Sequence, residues 1–179
     1  MTVLHTPRLR LEPINDSHYE GLQAMNRRPE VMRYISGAPE TPEQTREMIE
    51  RVQARWAEFG FSWWAFIHLE SGRLAGAGCI QYLDRKPGNP HEIGWRLHPD
   101  FWRQGLASEA AGAMAAFAFE QLQAPELVAV RHPDNRDSAK VMERLGMQER
   151  GLGTWYEAEL MLHGLSAAQW RARPVPPAR

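Results

Sequence analysis

Four groups of residues in this chain have types and spacings suited to chemistry. The first is the run EIGWRLHPDFWRQGLASEA, Glu92 to Ala110. It reads as a strand, a tight turn holding Gly105 and Ala107, and a helix start. The first N–H groups of a helix have no intrahelical partner, and the helix dipole favours negative charge there. Such a turn binds phosphate without a charged side chain. Gly105 has no Cβ and lets the backbone approach a ligand closely. An ordinary strand-to-helix turn would read the same way. G-x-G-x-x-G and G-K-[ST] are absent, which disfavours a Rossmann loop and a P-loop.

The second group is Asn135-x-x-Ser138 at the start of a later helix, where the two share a face. Its plainest reading is Asp134 or Asn135 as an N-cap and Ser138 as a neutral first-turn residue. The third is the strand ahead of the glycine turn. Alternation puts Glu92, Gly94, Arg96 and His98 on one face, and His91, Ile93, Trp95 and Leu97 on the other. Glu92 reads either as a salt-bridged strand carboxylate or as a base. His98 titrates in a range that suits base work, although a lone strand-end histidine is more often structural. The fourth is Cys79, the single cysteine. It lies in an apolar run and reads as a small buried core residue rather than a nucleophile. Glu109, on the helix after the turn, reads as structural.

These groups need a scaffold. The chain has 179 residues, 43% hydrophobic and 24% charged, with a net charge of -1. That fits one domain with a sizeable core. It argues against a nucleic-acid binder built on bulk charge. With one cysteine, neither an intrachain disulfide nor an all-cysteine metal site can form. The N-terminus lacks the apolar run of a signal peptide and no stretch reads as a membrane span, so a soluble, cytoplasmic protein is expected.

A strand is expected over Leu9–Ile14, and a helix capped by Asp16 or Ser17 runs to about Arg28. A short helical turn follows over Pro29–Tyr34. Thr41 and Pro42 open a helix with Ile49, Val52, Trp56 and Phe59 on its apolar face, ended by Gly60. Strands Ser62–Leu69 and Leu74–Leu83 form a hairpin through Glu70-Ser71-Gly72-Arg73. A polar loop, Arg85–Pro90, leads to the strand His91–His98. After the Gly105 helix come a strand over Leu127–Val130, a helix over Asp134–Leu145 closed by Gly146, and strands over Met147–Arg150 and Tyr156–His163. The fold class is α/β with a mixed sheet, and the unit from His91 to Val130 must cross over right-handed, making its strands parallel. Residues 1–170 form one domain, and the Pro- and Arg-containing tail 171–179 is expected to be loose.

The run EIGWRLHPDFWRQGLASEA, the later HPDNRDSAKVMERLGM and the opening TPRLRLEPI together resemble the GNAT superfamily of acyl-CoA-dependent N-acetyltransferases. More narrowly they resemble its branch typified by RimJ and RimL. The likeness spans about Thr6 to His163. The family's loop has Arg or Gln, two residues, Gly, one residue, then Gly or Ala. Gly105 and Ala107 fit the last two positions, and Trp102 stands at the first, as in the RimJ/RimL-like branch.

The resemblance implies a mixed, mostly antiparallel seven-stranded sheet flanked by helices, with a splayed parallel pair, and acetyl-CoA as cosubstrate without a metal. Arg103, Gln104, Gly105, Leu106 and Ala107 would hold the pyrophosphate, with Trp102 beside them. Main-chain groups of Arg96 and Leu97 would pair with the pantetheine arm, and Leu97 N–H would polarise the thioester carbonyl. Asn135 would tether the arm. Ser138 would protonate the departing thiolate, with Tyr156 as a rival, and Glu92 would be the first candidate base. The acceptor would be a primary amine, either a protein N-terminus or a small molecule. The alternative is a CoA-binding sensor or scaffold without turnover. No nucleic acid or membrane partner is expected, and exposed tryptophans with family habit raise a homodimer. One of Trp63 and Trp64 would be buried and the other would line the acceptor cleft or a subunit contact. Glu43, Glu47 and Glu50 read as a solvated face, or as an acidic stripe drawing a cationic acceptor.

Overall fold

The computed structural model describes residues 1–173. The strands are β1 (Leu4–His5), β2 (Leu9–Pro13), β3 (Trp63–His68), β4 (Leu74–Tyr82), β5 (His91–Leu97), β6 (Glu126–Arg131), β7 (Gln148–Trp155) and β8 (Ala158–Ser166). The helices are α1 (Tyr19–Asn26), α2 (Pro29–Met32), α3 (Pro42–Phe59), α4 (Leu106–Ala116), α5 (Arg136–Leu145) and α6 (Ala167–Arg171). They build one sheet in the order β1-β2-β3-β4-β5-β6-β8-β7. The expected loose tail falls largely on residues 174–179, outside the described residues.

The sheet is mixed and mostly antiparallel, as expected, but among the described residues it has eight strands rather than seven. The extra one is the two-residue β1 on the edge beside β2, too short to leave an alternating pattern in sequence. The one parallel pair, β5 with β6, keeps only His91 opposite Leu127 and Glu92 opposite Val128. Beyond Glu92 the two strands diverge, so the sheet opens there.

Local chemistry explains most of the helix boundaries. Thr41 caps α3 with a reciprocal box to Gln44, Pro42 follows at the first helical position, and Gly60 closes it at φ 76°. Gly146 closes α5 at φ 91°. The first helix corrects the expected cap. Asn15, not Asp16 or Ser17, accepts from Ser17 N and opens a 3-10 turn that runs into α1. The last hairpin is also displaced from expectation. β7 runs on to Trp155 and β8 begins at Ala158, leaving Tyr156 and Glu157 as a two-residue turn with φ of 52° and 61°. Turns of that kind usually take Asn or Gly, so Tyr-Glu gave no turn signal.

The core centres on Trp64, which is fully buried and meets Trp56 of α3 edge-on at 4.9 Å and Phe117 after α4 at 5.2 Å. α4 buries Ala110, Ala111 and Ala115 completely against the sheet. Small side chains let its backbone come close to β4 and β5, and Gly78 completes the fit. A Cβ there would sit 2.5 Å from Phe66 and 2.8 Å from Met114. α4 and its leading turn are thereby fixed beside the diverging end of β5.

Candidate active site

Glu92 is the last β5 residue paired with β6, and it is buried. Gln81 of β4 stands opposite it. Gln81 Nε2 donates to Glu92 Oε2 at 3.0 Å and to the Tyr156 hydroxyl at 2.9 Å, while Gln81 Oε1 accepts from Trp63 Nε1 at 3.3 Å. Tyr156 donates to the same Glu92 Oε2. Glu92 Oε1 takes no hydrogen bond among the described residues and is not sealed from the adjoining cavity. Burial raises the Glu92 carboxyl to about 6, against the lowering effect of the Tyr156 and Gln81 bonds. Burial and the nearby Glu92 carboxylate push the Tyr156 phenol well above its ordinary range.

Tyr156 owes its place to the strained turn. Its N–H donates to Asp84 Oδ1 at 2.7 Å, and Asp84 itself has φ 58°. Positive φ in non-glycine residues costs energy and clusters at functional sites. Here two such loops clamp each other, one after β4 and one after β7.

A cavity of about 340 Å³ adjoins this network. Glu92, Gly94, Arg96, Asn135, Ser138 and Tyr156 all line it. Of the expected site residues, the structure thus brings together Glu92, Arg96, Asn135 and Ser138. Leu97, Trp102, Arg103, Gln104, Gly105, Leu106 and Ala107 lie outside its lining, at the far end of β5. Trp102 ties that end together, with Nε1 donating to Leu97 O at 2.9 Å. His98 N donates to Ala75 O, so the alternation of an antiparallel ladder directs the main chain of Arg96 to β4 and that of Leu97 to the β6 side. Leu97, not Arg96, therefore presents its main-chain N–H to the opening, its carbonyl being taken by Trp102, and Arg96 offers its side chain instead.

The glycine turn has the form an anion cradle needs. Gly105 stands ahead of α4 at φ 78° and Arg103 has φ 60°. Trp102 N bonds Pro99 O and Glu109 N bonds Gly105 O, while the N–H groups from Arg103 to Ser108 have no acceptor among the described residues. This run of free donors at a helix start fits a pyrophosphate. Arg8 Nη1 holds the turn from the side, donating to Gln104 O at 2.8 Å. Glu109 is structural, as expected. Its Oε1 accepts from Thr6 Oγ1 at 2.6 Å and Arg8 N at 2.8 Å, and its Oε2 from Arg8 Nε at 2.7 Å.

Other expectations resolve on local contacts. Asn135 is the N-cap of α5, its Oδ1 accepting from Ser138 N at 3.2 Å. His98 Nδ1 accepts from Asp100 N and caps a 3-10 turn. Cys79 is buried, and that burial pushes its thiol well up, so it makes no thiolate. Trp64 fills the core while Trp63 lines the cavity. The stripe of Glu43, Glu47 and Glu50 is solvent-exposed and does not line the cavity, because α3 turns Met48, Arg51, Val52 and Arg55 toward it. The stripe is the solvated face of the first reading, and the cavity wall from α3 carries arginines instead. Gln81 and Arg55 were missed in the sequence. The register of the β4–β5 hairpin points to Gln81, and the spacing of Met48, Arg51, Val52 and Arg55 on one helix face points to Arg55.

Among the described residues no helix is long and apolar enough to cross a membrane, and no group of His, Cys, Asp and Glu could hold a metal ion.

Residues 8–148 match the family described as the acetyltransferase (GNAT) domain. The chain is 30% identical over 151 residues to the uncharacterized N-acetyltransferase YoaA of Bacillus subtilis (strain 168), covering 84% of this chain and 85% of that one. Its fold is similar to the crystal structure of an acetyltransferase from Agrobacterium tumefaciens str. C58, with a TM-score of 0.79 and 27% identity over 92% of this chain and 94% of that one. RimL, a ribosomal L7/L12 alpha-N-protein acetyltransferase solved with coenzyme A, shares the fold at a TM-score of 0.79 with 15% identity, over 94% of this chain and 99% of that one. With the mixed sheet, the opening beside Glu92 and the free N–H groups ahead of α4, this match leads to one conclusion: the chain belongs to the GNAT acetyltransferase family and is an acetyl-CoA-dependent acyltransferase.

Proposed function

We propose that the chain moves an acetyl group from acetyl-CoA to a primary amine by direct attack in a ternary complex. The observation that carries this reading is a buried carboxylate, Glu92, at the point where β5 leaves β6. Acetyl-CoA supplies the activated thioester. The N–H groups of Arg103 to Ala107 would hold its pyrophosphate, and Leu97 N–H would face its thioester carbonyl.

Glu92 takes the proton of the attacking amine at its open Oε1, relayed through water, because it stands five residues from Leu97 along β5. A carboxyl raised to about 6 is mostly ionised at neutral pH yet still basic enough to accept a proton. Ser138 lines the same cavity, and its hydroxyl makes no hydrogen bond among the described residues. It is the better proton donor to the departing thiolate, because the Tyr156 proton is already committed to Glu92. Cys79 has no part in a covalent step, since its thiol is buried and stays protonated.

The acceptor is a protein N-terminal α-amine, as the RimJ/RimL-like sequence features suggest, or a small-molecule amine. The test is a melting curve with acetyl-CoA followed by thiol release over an amine panel. Ligand binding to the native state must raise the melting temperature. A raised Tm with no thiol release from any amine would instead favour a sensor or scaffold without turnover.

A further inference from the structure

Arg96 is 8% exposed and lines the cavity, and its side chain forms no hydrogen bond or ion pair among the described residues. Its Nε is buried without an acceptor. The guanidinium carbon lies over Trp63, 4.7 Å from the ring centroid, and this cation–π contact is its one specific partner among the described residues. Burying a guanidinium without an anion is costly. Glu40 also lines the cavity and its charge favours the Arg96 cation, but the two form no ion pair, and Glu40 Oε2 accepts from Asn26 Nδ2 at 2.8 Å and Thr45 Oγ1 at 3.2 Å. Glu92 is engaged by Gln81 and Tyr156.

Two further arginines line the same space without an ion pair. Arg55 is half-buried on α3, and Arg85 stacks on Tyr156 with its guanidinium carbon 5.4 Å from the ring centroid. Burial, with help from neighbouring Arg85 and Arg51, lowers the Arg55 pKa, as expected where cations crowd without an anion. Arg131 is not part of this set, since it already bonds Glu149 and nearby carbonyls.

The position of these charges relative to Glu92 defines a ligand. Trp63 stands opposite Cys79, and Cys79 opposite Gly94. A guanidinium over Trp63 is therefore about level with Gly94, two residues or about 7 Å along β5 from Glu92. None of Arg103 to Ala107 lines this cavity, so the cosubstrate's phosphates are not what Arg96 awaits. A planar guanidinium fork matches a carboxylate with two parallel hydrogen bonds.

We propose that the acceptor is a small amine carrying a carboxylate close to its amino group, of the amino-acid class, with Arg96 and Arg55 binding the carboxylate while Glu92 faces the amine. This deepens the acetyl-transfer reading and rests on it. Gly94 lines the cavity between Glu92 and Arg96 and places no side chain there, where a Cβ would touch Cys79 Sγ at 3.4 Å.

The test uses the full chain with saturating acetyl-CoA and measures thiol release. Free amino acids are compared with their carboxamides, with the matching decarboxylated amines, and with short peptides that begin with Asp or Glu. At least one amino acid is expected to exceed its amide more than tenfold in kcat/KM. Arg55→Gln, at a half-exposed position that should not disturb folding, is expected to cut that ratio at least fivefold. Arg96→Met is expected to abolish the preference, and Arg96→Lys to restore part of it. Equal turnover of acids and amides, or a ratio untouched by Arg55→Gln, overturns the proposal. Faster turnover of the acidic peptides than of every free amino acid overturns it as well. If acetyl-CoA neither shifts the Tm nor releases thiol with any amine, the acetyl-transfer reading itself falls and takes this one with it. Normal cosubstrate binding and turnover without carboxylate preference removes this proposal alone.

Discussion

Tyr156 donates its hydroxyl to Glu92 from a turn in which it and Glu157 both have positive φ. Asp84 pins that turn by accepting from Tyr156 N at 2.7 Å. The donated bond lowers the Glu92 pKa against the rise from burial. Removing it leaves burial less opposed, so in Tyr156→Phe the acid limb of the kcat/KM profile moves above its wild-type position near pH 6. Several-fold loss is expected at pH 7, with recovery above about pH 8.5. A deficit of 10²-fold or more persisting at high pH would assign Tyr156, rather than Ser138, as the proton donor.

Glu92→Gln separates activity from stability. Loss of the proposed base is expected to lower kcat/KM about 10²-fold or more and to erase the limb near pH 6. Stability moves the other way. The folded carboxyl sits at about 6, above its ordinary 4.5, so the native state binds the proton more tightly. Its stabilising contribution is present below pH 4.5 and is lost as pH rises through 6. At 1.36 kcal/mol per unit, ionised Glu92 costs the native state about 2 kcal/mol at neutral pH. The glutamine variant can still accept from Tyr156, and it should melt no lower than wild type at pH 7.5. At pH 4.5 that advantage should disappear. A lower Tm at pH 7.5 would mean that the carboxylate is held by more than the cavity wall.

Much of this site could be read from residue types, because backbone requirements are written in them. Gly105 marks the turn ahead of α4, Thr41-Pro42 and Gly146 mark helix ends, and Glu92 stands on the opened strand. What escaped depends on register across distant segments. Gln81 meets Glu92 only because β4 and β5 pair as they do. Tyr156 reaches Glu92 through a turn made of residues that do not favour one. The arginine cavity escaped for a different reason. On α3 an exposed acidic face and a cavity-facing Arg51–Arg55 face alternate within the same turns, and composition alone shows both.

Gly105→Ala tests the cradle. A Cβ there would come no closer than 3.6 Å, to Arg8 Nη2, so sterics with neighbours are not the obstacle. The φ of 78° is, and holding a non-glycine residue in the left-handed region costs roughly 1–2 kcal/mol. The variant should lose about that much stability by denaturant titration. It should also need more acetyl-CoA for the same shift in Tm, since relaxing the turn disperses the free N–H groups. An unchanged acetyl-CoA affinity would move the phosphate contacts elsewhere.

Glu109→Gln tests the brace behind that cradle. Glu109 joins the segment before β2 to α4 by accepting from Thr6 Oγ1, Arg8 N and Arg8 Nε, and Arg8 in turn holds Gln104 O. Partial burial raises the Glu109 pKa, but the bonds from Thr6 and Arg8 outweigh it, so the net shift is downward from 4.5. A depressed carboxyl contributes stability that is present above pH 4.5 and is lost as pH falls through the folded value. Glutamine keeps one acceptor oxygen, loses the charge, and is expected to cost about 1–2 kcal/mol at pH 7. The gap to wild type should narrow below pH 4, where wild-type Glu109 also becomes neutral. Because Arg8 then holds the turn less firmly, the KM for acetyl-CoA should rise while the pH limb near 6 stays in place. A displaced limb would show that Glu109 acts on Glu92, which its contacts do not support.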